Sequence, residues 1–403
     1  MKRYVILGNG VAGQTCAEEL RKLDASSAVT ILAAEPHPLY SRVALPGFVR
    51  GQLSEDKVML RKIADYEKHG INIHFETRGE RIVVAEKVVH SNQGQSFHYD
   101  ALLIATGGRP KAATWDSLAG TPDILSFQTL DDAKRIIERT DRAKSVLVLG
   151  GSFIGYELAE GIAFRKKAKV TWMMRGPRFL RAVLDDEAGE LCRRLGEKAG
   201  VTFVFSDNLQ AISRLNGHYV GLTEKGSRIE FDCLAYGLGL DYYLAPARTC
   251  GVEIRGGIVT DEHMRTNVPD IYAAGDIAFF YDLMIERHHQ IGTWDNALGH
   301  GRAVAKNMAG HDEPYFDVPT YTTTMFGSSM AVLGITEGIP GLESIRDFSY
   351  EKGYYRRLFF CQDRLVGAVL IGPPKGRKKL IDVMRSRRPI DKTREAYLDP
   401  ASL

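Results

Sequence analysis

The stretch "RYVILGNGVAGQTCAEELRKL", residues 3–23, decides the fold, because its pattern returns at residues 145–165 as "SVLVLGGSFIGYELAEGIAFR". Each copy reads as an apolar strand, a glycine turn and an amphipathic helix. Each is followed by a second apolar strand, "AVTILAAE" (28–35) and "AKVTWMM" (168–174). Strands that are apolar throughout suit a parallel sheet covered on both faces, and the strand–helix–strand connection is the repeating unit of such sheets. The expected fold class is α/β, with two Rossmann-like doubly wound nucleotide-binding domains.

Two further apolar stretches end in small, glycine-containing turns, "YDALLIATGGRP" (99–110) and "DIYAAGDIA" (270–278), and "FDCLAYGLGLD" (231–241), with Gly237, is a weaker relative. A ligand can touch the backbone where side chains are this small. From about residue 318 the character changes: "YTTTMFG", "AVLGIT", "YYRRLFFC" and "RLVGAVLIG" read as β-hairpins, with "QD" a tight turn, and the helix "KKLIDVMRS" follows. The expected organisation is a split first nucleotide domain (1–110 and 240–317), a second (111–239), and a C-terminal α+β interface domain (318–403).

The bulk numbers exclude several function classes. A net charge of +3 over 403 residues gives no whole-molecule attraction to nucleic acid or membrane. The first residues lack a signal-peptide layout and no apolar run is long enough to span a bilayer, so a cytoplasmic protein with no membrane partner is expected. Cys16, Cys192, Cys233, Cys250 and Cys361 are scattered, which argues against a disulfide framework, a zinc site and a redox dithiol. His288 and His289 are adjacent, point apart if helical, and have no further ligand cluster, so no metal site is expected.

In "GNGVAG", Gly8, Asn9, Gly10, Val11, Ala12 and Gly13 form the G-x-G-x-x-G turn. The first glycine permits the tight turn, the second lets a pyrophosphate approach, and the third lets the helix pack on the strand. Glu35 ends the next strand at the spacing where a carboxylate receives ribose hydroxyls. In "GGSFIG", Gly150, Ser152, Phe153, Ile154 and Gly155 repeat the turn, but Ser152 replaces the second glycine. Its hydroxymethyl group either crowds a pyrophosphate or donates a hydrogen bond to it.

With two dinucleotide units, the chain resembles the pyridine nucleotide–disulfide oxidoreductase superfamily of FAD enzymes. "GNGVAG" with Glu35, "LLIATGGRP", "GGSFIGYELA" and "MRTNVPDIYAAGDIA" carry the likeness, and "PLYSRVALPGFVRGQ" (38–52) is similar to rubredoxin reductases and the flavin module of nitrite reductases. Ferredoxin reductases look slightly more distant. The resemblance implies FAD in the first unit. It further implies flavin contacts from Arg42, from Ala105, Thr106 and Gly107, from Gly275 and Asp276, and from Trp294. Alternatives stay open: Asp276 as a helix N-cap, Arg42 as a surface ion-pair partner, and Trp294 as core or interface packing.

The family's disulfide reductases carry a cysteine pair where this chain has "YSRVALPGF", which has none, so electrons are expected to leave from the flavin itself. Ferredoxin reductases pair a lysine after this stretch with a glutamate of the second glycine helix. Glu157 matches the glutamate, whereas Pro46 and Gly47 stand near the lysine's place, so that ion pair is missing or remade. Glu157 is the catalytic candidate, through the nicotinamide amide, or else pairs along its own helix.

At the end of the second unit's strand, Met174 stands where an acid would hold the ribose of NAD, and Arg175, Arg178 and Arg181 follow. Guanidinium groups without the carboxylate favour a 2′-phosphate. Arg175 and Arg181 have the spacing used by NADPH-dependent members of the superfamily, so NADPH is favoured over NADH, and Arg178 is an extra cation or faces solvent. An exposed arginine loop with no ligand is the alternative. A dithiol-free enzyme with both cofactors suits a small acidic iron-containing carrier, rubredoxin or ferredoxin. The basic stretch "PKGRKKLIDVMRSRRPIDKTR" could steer it, or could be a solvated face or dock on a sister subunit in a homodimer. Nucleic acid is a weaker partner, because no aromatics interleave the charges. The other readings are the flavin subunit of a larger redox complex and a redox-controlled interaction protein resembling apoptosis-inducing factor.

Overall fold

The computed structural model describes residues 1–113, 121, 123–215 and 217–402, and the chain divides into two compact units. The first comprises Met1–Ser41, Met59–Arg109 and Asp241–Tyr321; the second comprises Arg42–Val58, Pro110–Leu240 and Thr322–Leu403.

In the first unit five parallel strands lie in the order Ile271–Ala273, Ala101–Ile104, Arg3–Leu7, Ala28–Leu32, Ile71–His74. Ile6, Leu102, Leu103 and Ile104 have no solvent exposure, as expected for strands covered on both faces. The helix Val11–Leu23 lies against the helix Trp294–Met308. Their approach depends on Gly301, where a Cβ would sit 2.4 Å from the Ala12 carbonyl oxygen. Two small sheets complete the unit: Gly79–Val83, Val88–Ser91 and Ser96–His98, and then Ile254–Arg255, Gly257–Thr260, Ala278–Asp282 and Arg287–His289.

The second unit repeats the plan, with parallel strands in the order Val201–Phe205, Lys169–Met174, Ser145–Leu149, Cys233–Tyr236, Ile124–Ser126. Its glycine helix, Phe153–Arg165, is less amphipathic than the pattern suggests. Eight of its residues, from Gly155 to Ala163, are buried, and the short helix Leu45–Val49 packs on it where a Cβ at Gly161 would lie 3.1 Å from Val49 Cγ1. The C-terminal sheet has the order Thr320–Met325, Ser328–Gly334, Arg364–Ile371, Tyr354–Cys361, Glu343–Ser349. The "QD" turn is as read: Gln362 and Asp363 take φ of 48° and 57°, the paired left-handed conformation of a two-residue hairpin. The helix Arg377–Ser386 covers this sheet through Leu380 and Met384.

Candidate functional site

Both glycine turns sit at the carboxyl ends of parallel strands, and they are built by the same contacts. Gly8 takes φ +115°, and a Cβ there would lie 2.3 Å from the Ala105 carbonyl oxygen; Gly150 takes φ +108°, with Gly237 O equally 2.3 Å away. The third glycines match as well: a Cβ on Gly13 would meet Gly8 O at 2.0 Å, and one on Gly155 would meet Gly150 O at 2.1 Å. Each turn is hung between strands, by Gly8 N–H to Leu32 O (2.9 Å) and Ala105 N–H to Leu7 O (2.8 Å), then by Gly150 N–H to Met173 O (3.0 Å) and Gly237 N–H to Leu149 O (2.9 Å). These contacts place Gly237 in the second turn as Ala105 is placed in the first.

The turns differ at their second position. Gly10 caps the helix Val11–Leu23 without a side-chain bond, and a Cβ there would meet nothing within 4 Å. Open space before a run of uncapped N–H groups fits a pyrophosphate. Ser152 instead caps its own helix. Its hydroxyl donates to Gly237 O (2.8 Å) and accepts from Gly155 N–H (3.3 Å). The hydroxyl proton is committed to the fold, so Ser152 does not point a donor at a ligand; the capping geometry overrides that expectation. Phe153 and Ile154, both half-buried, form the first turn of this helix.

Around the first turn, the Asn9 side chain is held by Tyr66 (Nδ2 to Oη, 3.0 Å), and the Tyr66 hydroxyl also receives Leu39 N–H (2.8 Å). Val11 opens the helix and Ala12 is buried, its Cβ 3.3 Å from where a Cβ on Gly275 would be. Glu35 does not end its strand, which stops at Leu32; it stands three residues beyond, half-buried, and accepts from the Tyr40 hydroxyl (2.6 Å). The Thr106 hydroxyl donates to Tyr243 O (2.9 Å), and Gly107, φ +60°, receives Tyr243 N–H at its carbonyl (3.2 Å). Asp276 lies in the short 3-10 turn Gly275–Ile277, whose cap is Ala274, so it caps no long helix; its carboxylate faces Gly292. Trp294 opens the helix Trp294–Met308 and is half-buried, outside the buried core. Arg42 falls in the second unit, half-buried, and donates to the Gln128 carbonyl just ahead of the capping box of helix Leu130–Arg142.

Sequence reasoning missed His300. It is wholly buried, and its Nδ1 accepts the Gly275 N–H (3.2 Å) that holds Gly275 at φ +75° beside Asp276. The proton therefore belongs on Nε2, which is buried with no hydrogen-bond partner among the described residues. The imidazole ring lies edge-to-face with Phe280 and Tyr315 at centroid distances of 4.6 and 4.5 Å. The only signal was a histidine set between the two glycines of "NALGHGRAV". Burial, with the neighbouring His289 second, pushes this imidazole down to about 3. A folded value below the ordinary one of about 6.5 means that the unfolded chain takes up the proton first. Stability therefore falls as the pH drops from about 6.5, by roughly 2 kcal/mol at pH ~5. His300→Gln keeps an acceptor for Gly275 and should flatten that loss. Urea unfolding at pH ~7 and ~5 reads it, and a variant with the wild-type pH dependence would refute it.

The second omission is an ion pair. Glu157 is half-buried on the second glycine helix, and Pro46 and Gly47 are buried in Leu45–Val49. One helical turn further along both segments, Arg50 meets Glu160 (2.5 Å), with side chains 12% and 4% exposed. Phe326 N–H also reaches the Glu160 carboxylate, and Thr324 reaches Arg50. The bridge between these helices is thus remade three residues on, at positions that the i, i+3 spacing places on the same faces.

Met174 is buried at the strand end, next to Gly151. Arg175 and Arg181 are exposed beyond it and form no hydrogen bond or ion pair among the described residues. Arg178 does not extend to solvent as a free cation: it donates to Leu184 O (2.7 Å) and pairs with Asp186 (2.5 Å). Of the cysteines, Cys16, Cys192, Cys233 and Cys250 are buried and Cys361 half-buried. Burial raises the thiols of the first three well above their ordinary value, which suppresses thiolate chemistry. His288 and His289 lie on a strand, not a helix, and still point apart: His288 bonds to Thr260 O (3.1 Å) and His289 to Asp282 (2.7 Å). Among the described residues no cluster of three His, Cys, Asp or Glu could hold a metal, and no helix is long and apolar enough to cross a membrane.

The family model described as pyridine nucleotide-disulphide oxidoreductase matches residues 2–301, and that described as rubredoxin NAD+ reductase C-terminal domain matches residues 319–388. The chain is 25% identical over 406 residues to the assimilatory nitrate reductase electron transfer subunit of Bacillus subtilis (strain 168), covering 99% of this chain but only 51%, about half, of that protein. It is 29% identical over 375 residues to the rubredoxin-NAD(+) reductase of Pseudomonas putida, covering 92% and 96% of the two chains. In fold it matches a chain of the covalent putidaredoxin reductase–putidaredoxin complex (TM-score 0.91, 23% identity, 99% and 96% covered). It also matches an engineered water-forming NADPH oxidase bound to NADPH (TM-score 0.88, 19% identity, 97% and 92% covered). The substitutions in that oxidase include an aspartate to alanine, the next residue to arginine, and a proline six positions later to arginine.

Proposed function

The chain belongs to the pyridine nucleotide-disulphide oxidoreductase family, and from that premise we propose an FAD-dependent NAD(P)H oxidoreductase that passes electrons to a small iron-containing carrier. The observation that carries it is the duplicated glycine turn, open at Gly10 in the first unit and closed on itself by Ser152 in the second. FAD, when bound, supplies the means to accept a hydride and release electrons singly. The chain's own part is to hold it: uncapped N–H groups after Gly10 receive the pyrophosphate, Glu35 the ribose, and Asp276, set by the His300–Gly275 bond, the flavin side. Arg42, Ala105, Thr106, Gly107 and Trp294 complete this set, and Glu157 is the residue proposed to orient the nicotinamide.

No cysteine lies in residues 38–52, which supports direct exit of electrons rather than a sulfur relay. The names of the rubredoxin reductase and of the putidaredoxin complex support an iron-containing partner. The division into 1–110 with 240–317, 111–239 and 318–403 is part of this reading, and the separate C-terminal family match supports its last boundary. On the cofactor, the named relative is NAD(+)-linked. Against that, Arg175 directly follows Met174, and Arg181 stands six residues on, the arrangement introduced in the engineered NADPH oxidase. NADPH is the proposed donor.

Stopped-flow mixing tests the exit. The flavin colour should bleach with NADPH and return on adding rubredoxin or ferredoxin. The return should slow with added salt, because Lys378, Lys379, Arg385, Arg387 and Arg388 are exposed on and just after the C-terminal helix. Reversing Lys378 and Lys379 to glutamate should slow carrier-driven reoxidation about tenfold at low salt. Reoxidation by neither carrier would overturn the proposal.

A further inference from the structure

The arginine loop between the strand Lys169–Met174 and the helix Asp186–Lys198 is pinned at three points. Leu180, at φ +46°, donates its N–H to Gly151 O of the glycine turn (2.8 Å). Phe179, 1% exposed, stacks against Tyr156 and tilts over Trp172 at centroid distances of 6.1 and 4.9 Å. The third pin is Arg178, whose Nε reaches Leu184 O at the loop's far end and whose Nη1 pairs with Asp186 in the first turn of the helix. The helix makes room for it: a Cβ on Gly189 would lie 2.8 Å from Arg178 Cδ. The Arg181 stem folds back on the start of the loop, its Cδ 3.4 Å from where a Cβ on Gly176, the residue after Arg175, would be.

We propose that Arg178 is a positioning residue for 2′-phosphate selectivity, bracing the loop so that Arg175 and Arg181 are held at one rim before the nucleotide arrives. The inference rests on the reading of this loop as the 2′-phosphate site. The physical reason is preorganisation. Two long side chains on an untethered loop lose backbone and rotamer freedom on binding, and a brace removes part of that cost beforehand. Two of the five Arg178 N–H donors are committed to Leu184 and Asp186, which ties its guanidinium to the start of the helix and gives it a bracing role.

Binding of 2′,5′-ADP and 5′-AMP to the flavin-loaded protein, by titration calorimetry, tests this without turnover. Arg178→Met keeps the stem and removes both bonds; it should weaken 2′,5′-ADP about fivefold to tenfold and 5′-AMP less than about twofold. Arg178→Lys should recover part of the loss. Gly189→Ala, which displaces the Arg178 stem while leaving its charge, should repeat the Arg178→Met result and serves if that variant folds poorly. Asp186→Asn separates bracing from direct contact: it should weaken 2′,5′-ADP about twofold, whereas a directly binding Arg178 would be released and tighten it. A wild type that prefers 2′,5′-ADP, with unchanged selectivity in Arg178→Met and Gly189→Ala, overturns the bracing role alone. A wild type with no such preference overturns the phosphate reading and the brace with it.

Discussion

Gly8→Ala protein is expected to purify without flavin colour, whereas Gly150→Ala protein is expected to be yellow and to resist bleaching by NADPH or NADH. The geometry at the two positions is the same, so the different outcomes report which unit serves which nucleotide. An alanine at either place has two difficulties. The backbone φ, +115° at Gly8 and +108° at Gly150, lies beyond even the small left-handed region that L side chains can enter. The new methyl would also sit 2.3 Å from a backbone carbonyl oxygen, Ala105 O or Gly237 O, which no rotamer change can relieve. The turn has to open, and the N–H groups at the following helix start lose their aim. Free flavin released on heating measures occupancy, and anaerobic spectra with each nicotinamide measure reduction. A Gly8→Ala protein with full flavin, or a Gly150→Ala protein bleached at the wild-type rate, would sink the assignment of the units. Should Gly8→Ala prove insoluble, Gly10→Val remains: its side chain enters open space and should spare the fold while filling the pyrophosphate's place.

The turns were legible because their spacing encodes backbone conformation, which is local. Gly13 and Gly155 each answer to the carbonyl of the turn's own first glycine, Gly8 or Gly150, which the strand–turn–helix path itself brings close. The φ of +115° and +108° at those first glycines is set by the turn. The "QD" hairpin is legible for the same reason. What failed to show were partners fixed by folding. Ser152 looks like a ligand contact until Gly237, 85 residues away in sequence, takes its proton. Arg178 looks free until the following helix presents Asp186 and the notch at Gly189. In sequence "AAE" continues an apolar run and puts Glu35 at a strand end, but pairing with the neighbouring strand stops at Leu32. The glycines flanking His300 say nothing of its role, which depends on the Gly275 N–H arriving from another segment. The Arg50–Glu160 pair is half legible: Pro46 and Gly47 leave the family's ion pair missing or remade, and only the folded helices show it remade one turn further on.

Removing both loop cations should reverse the choice of nicotinamide. In Arg175→Ala/Arg181→Ala, kcat/KM for NADPH is expected to fall about 100-fold through KM, while that for NADH moves less than about threefold. The size follows from exposure. A charge-assisted hydrogen bond to phosphate contributes about 1.5–3 kcal/mol, and solvent around these exposed side chains holds each to the lower end, about tenfold apiece. Added salt should narrow the wild-type preference for the same reason, since two exposed cations and a phosphate are screened within a Debye length of about 8–10 Å. The residue before them completes the argument. Met174 is 2% exposed, and its Cβ lies 3.5 Å from where a Cβ on Gly151 would be, so its side chain borders the turn itself. Adding Met174→Asp to the double variant therefore puts a carboxylate where a ribose 2′-hydroxyl can donate to it and a 2′-phosphate is repelled. NADH should then become the better donor outright. Equal kcat/KM for the two nicotinamides in the wild type, or a double variant that still prefers NADPH, would show that the loop's charge has no part in the selection.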